Sequence, residues 1–128
     1  MDKKIPKALM VIRPIKINNS VVLRFVDFIG TGKSFLLTYD ASIKLLQQYK
    51  AEYIDIYSYG ISKKIFKQAG YINRYKEPSF IIPSHFEPFE QKNIDIFCAF
   101  KSNYKNKIIR LFKGDGDGDR PSILKKAK

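Results

Sequence analysis

Apolar residues are grouped along the chain in short runs rich in β-branched and aromatic side chains. Residues 7–17 and 21–29 form the first two runs, and they predict two strands because such side chains favour a pleated sheet. Asn18 and Asn19 between them have turn composition, so the two strands are expected to form a hairpin. Pro14 cannot donate a backbone hydrogen bond, which predicts that the first run is either an edge strand or two short pieces.

A helix and another strand are predicted next. Residues 41–50 carry Ile43 and Leu46 at helical spacing, and Asp40 is the expected N-cap. Residues 51–59 are again rich in tyrosine and isoleucine, which predicts a strand. The order of strand, glycine turn, helix and strand from residue 21 onward is typical of a small α/β protein.

The remainder alternates between regular and irregular segments. Ser62 is expected to cap a short helix over residues 63–69, and Gly70 to end it in the left-handed conformation. Three prolines make residues 77–90 irregular. Residues 93–102 and 107–113 are apolar enough to predict two more strands.

These elements predict an α/β (α+β) fold with a mixed, mostly antiparallel sheet and two short helices. A length of 128 residues suits one domain. We assign residues 1–121 to that domain and residues 122–128 to a basic tail.

Charge is the unusual feature of the composition, with 24 Lys and Arg against 12 acidic residues. The resulting net charge of +12 predicts weak, nonspecific attraction to polyanions. Solvation of a lysine-rich surface is the simpler interpretation. The single cysteine, Cys98, allows no intrachain disulfide, and no apolar run is long enough for a signal peptide or a membrane span. We therefore expect a cytoplasmic protein.

Two familiar motifs fail on inspection. The sequence Gly32-Lys33-Ser34 suggests a phosphate-binding P-loop, but Asp27 stands where that loop needs its first glycine. Alternating aspartates at Asp115, Asp117 and Asp119 suggest a calcium loop.

A calcium loop of that kind needs a glycine and a closing glutamate where this chain has Arg120 and Lys126. No metal site is therefore predicted. The single histidine, His85, has no neighbouring ligand or nucleophile beyond Ser84 and Glu87, so a packing role is favoured over a catalytic one. Cys98 lies in an apolar run and is expected to be an inert core residue.

The order of elements, together with the ending Ala69-Gly70-Tyr71 of the second helix, resembles the C-terminal half of the GCN5-related N-acetyltransferase (GNAT) family. In that family, backbone amides of a glycine turn at the start of a helix hold the pyrophosphate of acetyl-CoA. Both glycines of the turn are present here, while Asp27 replaces the family's leading Gln or Arg. The resemblance implies acetyl-CoA or another acyl-CoA as co-substrate, bound by Gly30, Thr31, Gly32, Lys33 and Ser34.

The resemblance departs from the family at one catalytic position. Phe66 stands where the family has its proton-donating tyrosine. If the chain is an acyltransferase, Tyr57 or Tyr59 is the candidate acid, and Asp27 or Glu52 the candidate base.

Four phrases, at residues 23–30, 51–57, 82–89 and 113–121, resemble the end of GNAT-like proteins associated with bacterial surface-polysaccharide biosynthesis. This likeness covers residues 7–121 and lacks the N-terminal half of such a protein. It implies either a homodimer or a partner chain that supplies the missing half. Two alternatives stay open: a non-catalytic interaction module that dimerises or completes a partner, and a polyanion-binding domain.

Overall fold

The computed structural model describes residues 5–84, 90–105 and 107–116. In chain order these contain β1 (Ala8–Ile17), β2 (Ser20–Gly30), a 3₁₀ helix (Ser34–Leu37), α1 (Thr38–Tyr49), β3 (Tyr53–Ile56), β4 (Ser58–Tyr59), α2 (Lys63–Gln68), β5 (Leu111–Phe112) and a second 3₁₀ helix (Lys113–Asp115). His85, the residues from Asp117 to Arg120, Lys126 and the tail at 122–128 lie outside the described part of the chain.

The described strands form two small sheets, so the fold is a small mixed α+β structure with mostly antiparallel pairing and two α-helices. One sheet has the order β1-β2-β3, with β1 antiparallel and β3 parallel to β2. The other pairs β4 with β5 in antiparallel fashion. The predicted hairpin is confirmed: Asn18 adopts a positive φ of 50°, as a tight turn between antiparallel strands requires.

A β-bulge in β2 lets two phenylalanines face the same core. Val11 pairs with Asp27 and Ile12 with Phe25, so Val26 is an extra residue with no partner in β1. Without it, strand alternation would point residues 25 and 28 to opposite faces. With it, Phe25 and Phe28 are both buried in one cluster.

The core of the described residues is largely aromatic. Phe35 sits at its centre, 5.1 Å from Phe28 and 5.3 Å from Phe66 between ring centroids, in edge-to-face arrangements. Phe112 packs against Phe25 at 5.9 Å, which joins the second sheet to the first. Both helices thus cover one face of the β1-β2-β3 sheet.

The strand predicted over residues 51–59 is divided between the two sheets. β3 runs parallel to β2 as far as the pairing of Phe25 with Ile56, and the chain then leaves β2 to pair as β4 with β5. The segment Leu111–Asp115 contacts β2 at this divergence, where Gly114 approaches Val26 closely. Two strands that begin side by side are therefore separated by a third segment.

The helix ends show what local sequence can and cannot predict. Ser62 caps α2 as expected, its Oγ accepting the Ile65 amide at 3.3 Å, and Gly70 has a positive φ of 77°. The prediction of Asp40 as N-cap was wrong, because the preceding 3₁₀ turn is already helical and α1 begins at Thr38. Asp40 instead lies in the first turn, where a carboxylate still complements the helix dipole.

The two predicted C-terminal strands are largely absent from the described residues. Residues 93–102 form no strand, and only Asn93 makes an isolated bridge, to Pro83. Phe97 is 91% exposed and Cys98 is exposed too, so the expected core role of Cys98 was wrong. This run has the composition of a strand but no sheet face to bury it. Residues 107–113 pair only at Leu111–Phe112.

Candidate functional site

The turn after β2 is held by reciprocal hydrogen bonds between Thr31 and Ser34. The Thr31 amide donates to Ser34 Oγ at 2.7 Å, and the Ser34 amide donates to Thr31 Oγ1 at 3.0 Å. Ser34 Oγ in turn donates to the Thr31 carbonyl at 3.0 Å, and the Phe35 amide donates to the same carbonyl at 3.1 Å. These side chains close the turn and start the helical segment that continues into α1.

Gly30 is required at this turn by close packing. A Cβ at this position would lie 2.6 Å from Ser34 Oγ and 2.7 Å from Phe28 Cζ. Because Ser34 must keep its place to close the turn, a larger residue at position 30 would disturb both the turn and the core.

Two backbone amides of the turn, those of Gly32 and Lys33, make no hydrogen bond to a described residue. The amides of Thr31, Ser34 and Phe35 are all used within the turn. Adjacent amides that precede a helix attract anions, since the helix dipole adds positive potential there. The Lys33 side chain is also exposed, so its charge lies at the same turn.

Arg110 adds a cation to this turn from the far end of the chain. Its Nη1 donates to the Gly30 carbonyl at 2.9 Å, and its Nη2 lies 3.6 Å from where a Cβ on Gly32 would be. Its Nε is buried and has no hydrogen-bond partner among the described residues. Sequence reasoning missed this residue; the available signal was a single arginine inside the apolar run that contains β5.

A cleft of about 200 Å³ adjoins the turn on the other side, between the beginning of β1 and the beginning of α1. Ser34 belongs both to the turn and to the cleft wall. The lining residues are Lys7, Ala8, Met10, Phe28, Ser34, Leu37, Thr38 and Ala41. The cleft is thus mostly apolar, with one lysine and two hydroxyls.

The predicted acids and the predicted base are not in contact with the turn. Tyr57 lies beyond the divergence of β2 and β3, where its hydroxyl donates to the Ile82 carbonyl at 2.8 Å. Burial, with a smaller contribution from the Asp55 carboxylate, raises the pKa of Tyr57. Tyr59 is exposed and packs its ring 5.5 Å from that of Phe100.

Asp27 is half-buried on β2, next to the bulge. Its Oδ1 accepts the amide of Phe28 at 2.7 Å. The alternative base, Glu52, is exposed and accepts a hydrogen bond from the Ser20 hydroxyl. The ring of Phe66 packs in the aromatic core against Phe35 and Tyr71, so this side chain has a packing role.

Behind Tyr57 lies a buried charged cluster that the sequence did not reveal. Arg24 and Asp55, which are 1% and 2% exposed, form a two-point ion pair with distances of 3.0 Å and 2.7 Å. Arg24 also donates to the carbonyls of Pro83 and Ser84. Each is the central charged residue of an apolar strand, and the parallel register sets them side by side.

Lys113 joins this cluster from the segment that follows β5. Its Nζ donates to the Ser84 carbonyl at 2.8 Å and lies 5.0 Å from the centre of the Tyr57 ring. Arg24 lies 5.8 Å from the centre of the same ring, so two cations are close enough for cation–π contact with Tyr57. The cluster fastens residues 82–84 to the sheet.

Within residues 5–84, 90–105 and 107–116, no cluster of three or more His, Cys, Asp or Glu side chains is arranged to hold a metal ion. No helix in these ranges has the length and apolar character that crossing a membrane requires. No protein-family model, no curated protein and no solved structure matches the chain.

Proposed function

We propose that the chain binds an acyl-CoA or a closely related phosphate-bearing ligand, with the phosphates at the turn of Gly30, Thr31, Gly32, Lys33 and Ser34. The observation that carries the proposal is the pair of amides, on Gly32 and Lys33, that no described residue uses, beside the guanidinium of Arg110. Amides and cations together suit a pyrophosphate, because each adds a charge-assisted hydrogen bond.

The course of the strands supports the same proposal. β2 and β3 are parallel neighbours that separate after Phe25 and Ile56, and the turn follows the carboxyl end of β2. Ligands of α/β proteins commonly bind outside the carboxyl ends of parallel strands, where neighbouring elements diverge. The GNAT resemblance implies such a splayed pair next to the pyrophosphate turn, and we propose a GNAT-like C-terminal half on that basis, with a role in surface-polysaccharide biosynthesis.

Binding and turnover are separate proposals. Burial raises the pKa of Tyr57, so its hydroxyl keeps its proton at neutral pH but is a weaker acid than that of an exposed tyrosine. The Tyr57 hydroxyl is also engaged by the Ile82 carbonyl, and Tyr59 and Asp27 lie on other parts of the sheets. We therefore propose ligand binding as the primary function and keep Tyr57, Tyr59 and Asp27 as candidates for an acyl-transfer step.

Calorimetric titration with acetyl-CoA tests the proposal. Arg110→Met should weaken binding by about tenfold or more, since a hydrogen bond to a charged group contributes about 1.5–3 kcal/mol. The matched control is Lys44→Met, which removes one exposed positive charge on α1 and should change the affinity by less than about twofold.

Two results would count against this site. Absence of binding at millimolar acetyl-CoA would reject the ligand. Equal losses in the Arg110 and Lys44 variants would show attraction to the net charge of +12 rather than recognition at the turn. Circular dichroism of both variants checks that the fold is kept.

A further inference from the structure

β1 is the outer strand of its sheet. No other described residue pairs with the outer edge of this ten-residue strand, in which Pro14 offers no amide donor. Natural proteins use such edges to bind extended segments, with the backbone supplying affinity and the side chains supplying specificity.

At the end of the β1-β2 hairpin far from the Asn18 turn, one face exposes three apolar side chains beside the half-buried Asp27. Leu9 and Ile29 are opposite each other in the register, and they are 55% and 62% exposed. Val11 follows on the same face and is 40% exposed. On the other face, Met10 and Ile12 pack against the aromatic core. The exposed apolar part of the outer face is confined to the end of the hairpin near Gly30, because Val22 and Arg24, farther along the same face, are 4% and 1% exposed.

The charges around this face favour an acidic partner over a second copy. Lys7 and Lys16 are both exposed and lie just before β1 and near its end. A second copy would bring the same two lysines to the same strand edge, within an assembly of two chains that each carry +12. An extended segment with acidic ends would instead place opposite charges beside both lysines.

We propose that the edge of β1, with the face formed by Leu9, Val11 and Ile29, binds an extended strand of a partner protein whose centre is apolar and whose ends are acidic. The partner strand adds to the sheet beside β1, and its apolar side chains extend the exposed face. This inference stands on the hairpin alone and does not rest on the proposed acyl-CoA site.

The test uses the full chain and a fluorescent peptide with alternating valine and threonine at its centre and a pair of glutamates at each end. Fluorescence anisotropy should show saturable binding. The double variant Leu9→Thr with Ile29→Thr should weaken it by about tenfold, since both apolar side chains lose contact area while charge and strand propensity are kept. Ile72→Thr is the matched control, because Ile72 is 63% exposed but lies outside the sheets.

Each contrary outcome has a distinct meaning. Equal binding of a peptide with the glutamates moved to its centre would show attraction to the net charge alone. An equal loss in the Ile72→Thr control would show that any exposed apolar side chain contributes, and would reject this face as the site. No binding at all would reject the partner. Light scattering that shows a dimer which the double variant converts to a monomer would assign the face to a second copy and overturn the proposal. Arg110→Met should leave peptide binding unchanged, which keeps this test separate from that of the turn.

Discussion

Replacing Arg24 by methionine is the perturbation whose cost the structure defines best. Arg24 is almost completely buried, and its hydrogen bonds include two to the Asp55 carboxylate and one each to the carbonyls of Pro83 and Ser84. Methionine fills much of the same volume but supplies no donor. The Asp55 carboxylate, with 0% of its side chain exposed, would lose its two-point partner.

The expected loss follows from that burial. Removing one member of a buried ion pair typically costs about 3–5 kcal/mol, because the remaining charge stays away from water without compensation. A native domain has about 5–15 kcal/mol of stability in total, so Arg24→Met should remove a large part of it. The carbonyls of Pro83 and Ser84 would also lose a donor, so residues 82–84 would be held less firmly to the sheet beside Tyr57.

Urea unfolding followed by circular dichroism measures this loss. The chain offers a control in Lys92, which forms a 3.0 Å ion pair with Glu90; the two side chains are 63% and 50% exposed. Exposed pairs contribute about 0–1 kcal/mol, so Lys92→Met should shift the unfolding midpoint only slightly. The double variant Arg24→Met with Asp55→Leu should be more stable than Arg24→Met alone, since the buried Asp55 carboxylate is removed together with its partner.

Two outcomes would refute the reasoning. A cost below about 1 kcal/mol for Arg24→Met, similar to that of Lys92→Met, would mean that the pair of Arg24 and Asp55 is open to water. A double variant as unstable as the sum of its single variants would show that the two side chains are not coupled.

Two further predictions concern the pH dependence of stability and the link between the sheets. Burial, reinforced by the Asp55 carboxylate, raises the pKa of Tyr53 from 10.0 to about 12. The folded state therefore holds this proton more tightly than the unfolded state, and the stabilisation is complete below pH 10 and lost as the pH rises toward about 12. Urea midpoints across that range should fall less in Tyr53→Phe than in the natural chain, and parallel curves would reject the assignment. Gly60 has a φ of +86°, and a Cβ there would collide with the carbonyl oxygen of Ile109. Gly60→Ala should cost about 1–3 kcal/mol in the same assay by breaking the β4-β5 contact, whereas Gly116→Ala, with open space around it, should be close to neutral; equal effects would contradict the steric argument.

The early part of the chain was predicted well because its signals are local. The hairpin around Asn18, the cap at Ser62 and the left-handed Gly70 depend on residues that are neighbours in sequence, so composition and spacing are enough. Residues 93–102 show the opposite case. Their apolar composition predicted a strand, but a strand forms only where another strand offers hydrogen bonds, and such a partner is not a property of the run itself.

The bulge at Val26 decides which side of the sheet each residue of β2 faces, and it arises from pairing with β1 rather than from the composition of β2. The interruption of the strand between β3 and β4 has the same origin, because residues 58–59 pair with β5 and not with β2. Both features shape the candidate site and depend on contacts between distant segments.

The amino-acid sequence was sufficient to predict the turn from Gly30 to Ser34, because the hydrogen bonds that close it join residues within the turn. The sequence did not predict the hydrogen bond from Arg110 to the Gly30 carbonyl, which joins residues 80 positions apart. It also did not predict the ion pair of Arg24 with Asp55, which are 31 positions apart. A single charged residue in an apolar run is a weak signal, since its meaning depends on what the fold sets opposite it. Only the tertiary structure places the guanidinium of Arg110 at the Gly30 turn, because the two residues are far apart in the sequence.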